Sequence, residues 1–562
     1  MPADASAPAS TADGTLAIEG PIVVSNEAEA DWSQHCDVLI VGFGAAGAAA
    51  AITAKEAGAD VLIVDRFGGG GASAKSGGVV YAGGGTRQQR AAGYADTPEQ
   101  MQRYLLREVG DAVTPDTVRR FCEDSVGLIE WLESIGASFD SDQPPPKTSY
   151  PPDGCYLYYS GNEGLDDSAA VAVPAPRGHR MRDAGLSGKA LFAVLRRRVE
   201  ALAIPVQTQC AVQRLIVDRD SGAVVGVEVQ RLLPGSAAAV AHARLIRRAE
   251  AVHNVLPALA DRWRARASLI EREQAQRLRI RARRGVLLST GGFVFNREML
   301  ARHAPKYLAN MRLGTTGCDG SGIRLGQSVG GVAARMDRVS AWRFINPPLP
   351  WAKGIVVDRH GQRFCNEQAY GARLGVAMCE AHEGRAWLIL DAGLRRRAIR
   401  DAWFGGLWAF QSLPALLLML FSPRARNVAA LAQRIGMPPQ ALEATVAQYN
   451  AAAQGGDVFH KAPAMIQPLT EGPFWALDIS ASNPRFPCPA ITLGGLRVDE
   501  ATGAVLDANG CAIAGLHAAG RAAIGLASNH YISGLSLADC LWSGQRAARA
   551  LVASAAAQTA AA

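Results

Sequence analysis

Ten cysteines are scattered singly through this sequence, with no Cys-x-x-Cys pair and no spacing that suits a set of metal ligands. That pattern excludes a zinc site or a disulfide framework and suits a reducing compartment, so the chain is expected in the cytoplasm. Strong charge of either sign is also missing. The formal net charge is +7 with 19% charged residues, and no basic recognition module is present, which excludes nucleic acid as a partner. A spanning helix needs about twenty consecutive apolar residues, and no run meets that requirement. Residues 1–30 are rich in Ala and Ser and carry Asp and Glu, without the basic start and apolar stretch of a secretory leader. They are expected to form a disordered tail over 1–33, with a second tail at 553–562.

What is present is a 562-residue chain, 49% hydrophobic, long enough for two or more domains with sizeable cores. Its most informative stretch is 36–66. Val38 to Val41 is apolar and β-branched, as a strand buried on both faces requires. Gly42 permits a tight turn, Gly44 lets the backbone approach a pyrophosphate, and Gly47 lets the following helix pack close to the strand. The helix start at Ala45-Ala46-Gly47 offers free N–H groups to phosphate. A second strand ends at Asp65-Arg66, and Asp65, about twenty residues beyond the glycines, is placed to accept from a ribose hydroxyl. The order strand, glycine turn, small-residue helix, strand and acid predicts a dinucleotide site.

A loop of small residues follows, Gly68 to Gly78, expected to lie as backbone against a flat ligand. Helices are expected over 97–136 and a Pro/Gly-rich aromatic loop over 140–185. A β-meander is expected near 210–231, and strand returns end in Thr290-Gly291-Gly292 and in Ala519-Gly520-Arg521. The nucleotide domain is therefore discontinuous. The expected organisation is a first part at 34–300 with a basic helical insertion at 233–283, a catalytic domain at 301–490, and a last part at 491–552.

These residues resemble the fumarate reductase/succinate dehydrogenase flavoprotein superfamily and, within it, the 3-ketosteroid dehydrogenases. The resemblance rests on the fingerprint above, Gly70-Gly71-Ala72-Ser73, Arg284-Gly285-Val286, Thr290-Gly291-Gly292, Cys318-Asp319-Gly320-Ser321-Gly322, Gly361 to Glu367, Thr492 to Leu496, and Ala518 to Arg521. It implies an α/β fold: a discontinuous Rossmann-like FAD-binding domain with an inserted α+β catalytic domain. The FAD is expected to be non-covalent, because Ala74-Lys75 stands where some relatives attach flavin to histidine. The implied cofactor residues are Gly42, Gly44, Ala45, Ala46, Gly47, Asp65, Arg66, Gly71, Ala72, Ser73, Gly77, Gly78, Val212, Thr290, Gly291, Asp319, Gly520, Arg521, Ser536 and Leu537.

Fumarate reductases hold their substrate's two carboxylates with positive groups; here Ile491, Tyr370-Gly371 and Tyr531 stand where the family places a histidine and two arginines. A dicarboxylate substrate is thereby disfavoured. Tyr531-Ile532-Ser533-Gly534 and Tyr370 are similar to the active-site residues of the 3-ketosteroid Δ4-(5α)-dehydrogenases, as are the segments 158–163 and 174–179. The resemblance implies that Tyr531, Tyr370 and Ser533 share proton abstraction and ketone polarisation on a 3-oxo-5α-steroid, with an external electron acceptor. It does not divide base from electrophile between the two tyrosines. Δ1-desaturation or enone reduction on the same scaffold, and a membrane-bound flavin protein without turnover, are the alternatives. His179 and His530 are expected to be structural.

Two segments stand apart. Residues 403–421 are too apolar for an ordinary surface connection and are flanked by Arg395, Arg396, Arg397, Arg400, Arg424 and Arg426. Arginines and tryptophans around a short apolar stretch suggest an interfacial anchor on the inner face of the cell membrane, against a buried or dimer-interface helix as the alternative. The arginine-rich insertion at 233–283 reads either as a basic surface for anionic lipid or as a solvated face on structural helices.

Overall fold

In a computed structural model of the chain, residues 14–25, 30–144 and 148–561 are described, side chains through residue 553. A nine-stranded sheet forms the frame. Its order is Ile22–Val24, Cys210–Asp218, Val224–Arg231, Gln276–Leu288, Gln34–Val41, Val61–Val64 and Val206–Gln207, with Ala512–Ala518 joined to Gln276–Leu288 and Ala504–Leu506 joined in turn to Ala512–Ala518. Three distant parts of the sequence thus supply one sheet, because its central strands are apolar on both faces and need cover from helices on each side. Val38, Leu39 and Ile40 are fully buried. The alanine-rich helix Ala45–Glu56 packs on them and on the last helix, Leu535–Ala561.

Gln276–Leu288 joins two pairing patterns. Its first half lies antiparallel to Val224–Arg231, completing the expected meander, and its second half lies parallel to Ala512–Ala518. Gln34–Val41 runs parallel beside it, with an irregularity between Ala282 and Gly285. The insertion in the meander is a pair of helices, Ala237–Val252 and Pro257–Gln274.

Some elements depart from the sequence reading. Within the segment expected as a tail, Ile22–Val24 pairs in register with Ile216 to Asp218, and Leu16 is buried. These few apolar residues complete a sheet edge from afar, which local composition does not reveal; residues 1–13 lie outside the described ones. The last helix runs through the expected second tail. The aromatic loop at 140–185 contributes Leu157–Tyr158 and Gly178–Arg180 to a small sheet with Val79–Tyr81. The boundary drawn at 490/491 cuts a strand, Pro489–Thr492, that pairs with both Met311–Arg312 and Val339–Ala341. A four-stranded sheet, Ile355–Val357, Trp387–Leu390, Phe474–Asp478 and Arg424–Ala425, centres the catalytic region. The apolar segment 403–421 spans the end of one helix, Ala392–Phe404, and a second helix, Ala409–Phe421. Among the described residues no helix is long and apolar enough to cross a membrane, and no cluster of residues could hold a metal ion.

Candidate active site

The dinucleotide cradle forms where the strand Gln34–Val41 turns into its helix. Gly42 adopts a positive φ of 104°, and a methyl group at Gly47 would overlap the Gly42 carbonyl oxygen, so helix and turn meet only without that side chain. Asp65 ties the turn together. Its carboxylate accepts from the backbone N–H groups of Phe43 (2.8 Å), Phe67 (2.8 Å) and Gly69 (3.2 Å), a bracing role added to the ribose contact expected of it. Ala45 N–H donates to the Ser73 hydroxyl at 3.1 Å, which brings the small-residue helix Gly71–Ala74 onto the helix start. Gly77 and Gly78 follow, and a methyl group at Gly77 would stand 2.7 Å from the Tyr150 ring.

The other walls come from the distant strand ends. The Thr290 hydroxyl accepts from Gly322 N–H at 2.9 Å, and Gly291 lies beside Cys318 and Arg521. Asp319 accepts from Ser321 N–H, Leu16 N–H and the Arg66 guanidinium. Gly520 packs against Ala46 and Cys540, which brings the end of the last strand onto the fingerprint helix. Ser536 and Leu537 are buried in the first turn of the final helix, and Val212 is buried opposite Val229 in the meander. One donor is telling: Arg521 Nη1 is buried without a hydrogen-bond partner, while its Nη2 reaches only the Cys318 sulfur at 3.6 Å. Free helix N–H groups, a glycine-lined channel and an unsatisfied guanidinium suit a pyrophosphate joined to a flat ring. The residues present fit FAD.

The helical insertion closes onto this cradle, which the sequence did not disclose. Arg66 forms a largely buried ion pair with Glu271 (2.8 Å) and a second with Asp319 (3.0 Å). His242 bonds Glu271 at 2.9 Å and stacks on Phe67. Burial would raise the Glu271 carboxyl, but Arg66 and His242 hold it down at about 2. Glu250 pairs with Lys75 of the glycine loop and accepts from Thr316 N–H and Oγ1. The inward face of the insertion is therefore a strap across the cofactor-binding loops, while Arg244, Arg247, Arg248, Arg262 and Arg266 face outward and exposed.

Beyond the cradle lies an aromatic cluster. Tyr370, Trp342, Ile491 and Leu493 are buried in one apolar cluster with Phe344, Leu313 and Tyr531 packed against it. The Trp342 ring lies 4.9 Å from Tyr531, and Phe344 lies 5.8 Å from Tyr370. Ser533 is buried beside these rings, and its hydroxyl is 3.2 Å from that of Tyr158. The structure thus brings Tyr531, Tyr370 and Ser533 together as expected and adds Tyr158. The signal for that residue was the resemblance of the segment 158–163 to the 3-ketosteroid Δ4-(5α)-dehydrogenases. Asn162 fixes Tyr370 by accepting from its backbone N–H at 2.8 Å. Burial pushes the phenols of Tyr370, Tyr158 and Tyr531 well above the ordinary tyrosine value; for Tyr531, the nearby Arg521 charge opposes that rise. All three are neutral hydrogen-bond donors at rest. Arg343 adjoins the pocket in sequence, but its guanidinium turns away to the Phe486 and Ser480 carbonyls. His179 is buried, bonded to Thr86 and held neutral by burial at about 4, as a structural histidine should be.

The family described as FAD binding domain matches residues 37–537. The chain is 42% identical over 520 residues to 3-oxo-5-alpha-steroid 4-dehydrogenase of Comamonas testosteroni, covering 88% of this chain and 94% of that one. It is 26% identical over 542 residues to 3-oxosteroid 1-dehydrogenase of Mycobacterium tuberculosis, covering 87% and 93%. The crystal structure of 3-ketosteroid-delta4-(5alpha)-dehydrogenase from Rhodococcus jostii RHA1, in complex with 4-androstene-3,17-dione, superposes with a TM-score of 0.79 at 30% identity. That comparison covers 95% of this chain and 100% of the other. The chain belongs to the FAD-binding flavoprotein family that includes these 3-oxosteroid dehydrogenases, and its cofactor is FAD.

Proposed function

We propose that this enzyme introduces the C4–C5 double bond into a 3-oxo-5α-steroid. The observation that carries the reading is the set of hydroxyls, Tyr531, Tyr370, Ser533 and Tyr158, gathered in a pocket otherwise lined by Trp342, Phe344, Ile491 and Leu493. None of these lining side chains is a cation that would hold a dicarboxylate, and they suit a flat apolar ring system with one ketone. Neutral tyrosine hydroxyls donate to the C3 ketone oxygen, and this stabilises the enolate charge that develops as the C4 proton leaves. Dryness strengthens that interaction. The base is the phenol whose ionisation is best supported. We assign that role to Tyr531 as its phenolate: it first gives up its own proton to solvent, an ionisation whose burial cost the Arg521 guanidinium opposes, and then takes the C4 proton, while Tyr370, bonded to Ser533, stays neutral as a donor to the ketone. Ser533, within hydrogen-bond reach of Tyr158 and Tyr370, orients those two hydroxyls toward the ketone. FAD, when bound, supplies the two-electron acceptor for the hydride leaving C5. Loss of one proton and one hydride balances the new double bond, and the electrons pass on to an external acceptor.

The location that goes with this substrate is cytoplasmic and peripheral, at the inner face of the cell membrane, through 403–421 and the exposed arginines of the insertion. The test of the reaction is anaerobic: the yellow holoenzyme is mixed with a 5α-3-oxosteroid or with a 4-en-3-one. Bleaching of the flavin by the first, with a 4-en-3-one as product, is expected. Bleaching by the 4-en-3-one alone would mean Δ1-desaturation, and bleaching by neither would remove the steroid reading.

A further inference from the structure

The apolar segment is joined to the pocket by a continuous line of rings. Phe410 and Trp408 both pack on Tyr150, at 6.3 and 6.0 Å. Tyr150 packs on Phe344 at 5.9 Å, and Phe344 meets both Tyr370 and Trp342. Trp408 is also held under the buried Arg180 guanidinium, 4.9 Å from its ring. The start of the helix Ala409–Phe421 therefore forms the lip of the pocket that holds the catalytic tyrosines.

The outer face of that lip is largely exposed, with Arg485 lying over the Phe421 ring at 5.9 Å. Trp403, Phe404, Phe410, Leu413, Leu420 and Phe421 are between 52% and 85% exposed. At 3.6 residues per turn, Phe410, Leu413, Leu420 and Phe421 fall on one stripe about 100° wide. The opposite side of the helix, at Ala415, Leu418 and Met419, is buried, and Arg395 caps its end through the Met419 carbonyl. Residues 392–426 hold six arginines against a single carboxylate of their own, Asp401, and Glu471 packs in from outside to pair with Arg396 at 2.6 Å, which leaves the segment strongly basic. Rings and leucines rimmed by guanidinium groups match an anionic phospholipid surface, in which the apolar stripe sinks below the headgroups while the arginines stay among the phosphates.

We infer that this stripe, together with the exposed Trp403 and Phe404 beside it, docks the enzyme on anionic lipid and that Trp408, Phe410 and Tyr150 are the portal through which substrate passes from bilayer to pocket. The portal rests on the steroid reading above; the docking does not. A steroid partitions strongly into membranes, so an entrance that opens into lipid draws on a far higher local concentration than one that opens into water.

The test compares wild-type holoenzyme with the triple variant Phe404→Ser, Leu420→Ser, Phe421→Ser, none of which touches the catalytic groups. Sedimentation with phosphatidylglycerol vesicles should fall on the order of a hundredfold in the variant, and wild-type binding should weaken with salt and be poor on phosphatidylcholine. With steroid loaded into the vesicles, KM should rise in parallel, while kcat and the KM for cyclodextrin-solubilised steroid stay unchanged. Equal vesicle binding by wild type and variant, or a KM that rises equally in both presentations, overturns the inference. So does a wild-type dimer that ignores vesicles and that the variant dissociates, since a second copy would then cover the stripe. Absence of turnover with any steroid removes the catalytic reading and the portal with it, while vesicle binding still decides the docking.

Discussion

Replacing Glu271 by Gln keeps the shape of the side chain and removes the charge that the insertion sets against Arg66. The two side chains are only 7% and 10% exposed and lie 2.8 Å apart, so solvent screens the pair little. The Glu271 carboxyl is held at about 2 against an ordinary 4.5, in spite of burial, by Arg66 and His242. At 1.36 kcal/mol per decade, that gap contributes about 3 kcal/mol to the folded state at neutral pH. Breaking a buried pair costs about 3–5 kcal/mol; because Arg66 keeps Asp319 at 3.0 Å, the lower end applies. The sign follows from a lowered carboxyl: the contribution is complete above pH 4.5 and is lost as the pH falls toward 2. Urea unfolding of the holoenzyme should therefore show E271Q weaker by about 3 kcal/mol at pH 7, with the difference narrowing below pH 4.5. Because Arg66 and the glycine loop are both tied to the insertion, flavin fluorescence should appear at a lower temperature in the variant. A variant within about 0.5 kcal/mol of wild type at pH 7, releasing FAD at the same temperature, would refute the strap.

Tyr531→Phe should lower kcat by about 10²–10⁴ while FAD stays bound, since the ring keeps its packing 4.9 Å from Trp342; loss of flavin absorbance would make Tyr531 structural instead. Ser533→Ala and Tyr158→Phe should each cost about tenfold in kcat, and the double variant should cost little more, because the two hydroxyls share one interaction 3.2 Å long; full additivity would separate their roles. Gly47→Ala should yield protein without a flavin band, since the added methyl overlaps the Gly42 carbonyl; normal FAD content would refute the close approach.

The cofactor cradle was legible because its signals are local. Gly42 to Gly47, Asp65, Thr290-Gly291 and Gly520-Arg521 each sit at the end of an apolar strand, where chain direction alone aims them at one place. The pocket was legible only by resemblance, since nothing in composition tells Tyr531 from any other tyrosine. What stayed hidden depends on pairs far apart in sequence. Glu271 is 205 residues from Arg66, and Tyr158 is 375 from Ser533. The arginines of the insertion drew attention, yet its carboxylates and His242 hold the cofactor loops, because the helix face that turns inward is decided by packing. The strand Ile22–Val24 was hidden for a related reason: three residues become a strand only beside Cys210–Asp218.

The central claim is that a hydride leaves C5 while a proton leaves C4. Stopped-flow reduction of the bound flavin under anaerobic conditions, with a 5α-3-oxosteroid carrying deuterium at C5, tests it most directly. The expected result is slower bleaching with deuterium at C5 and an unchanged rate with deuterium at C1. Slowing by deuterium at C1 with none from C5 would contradict it.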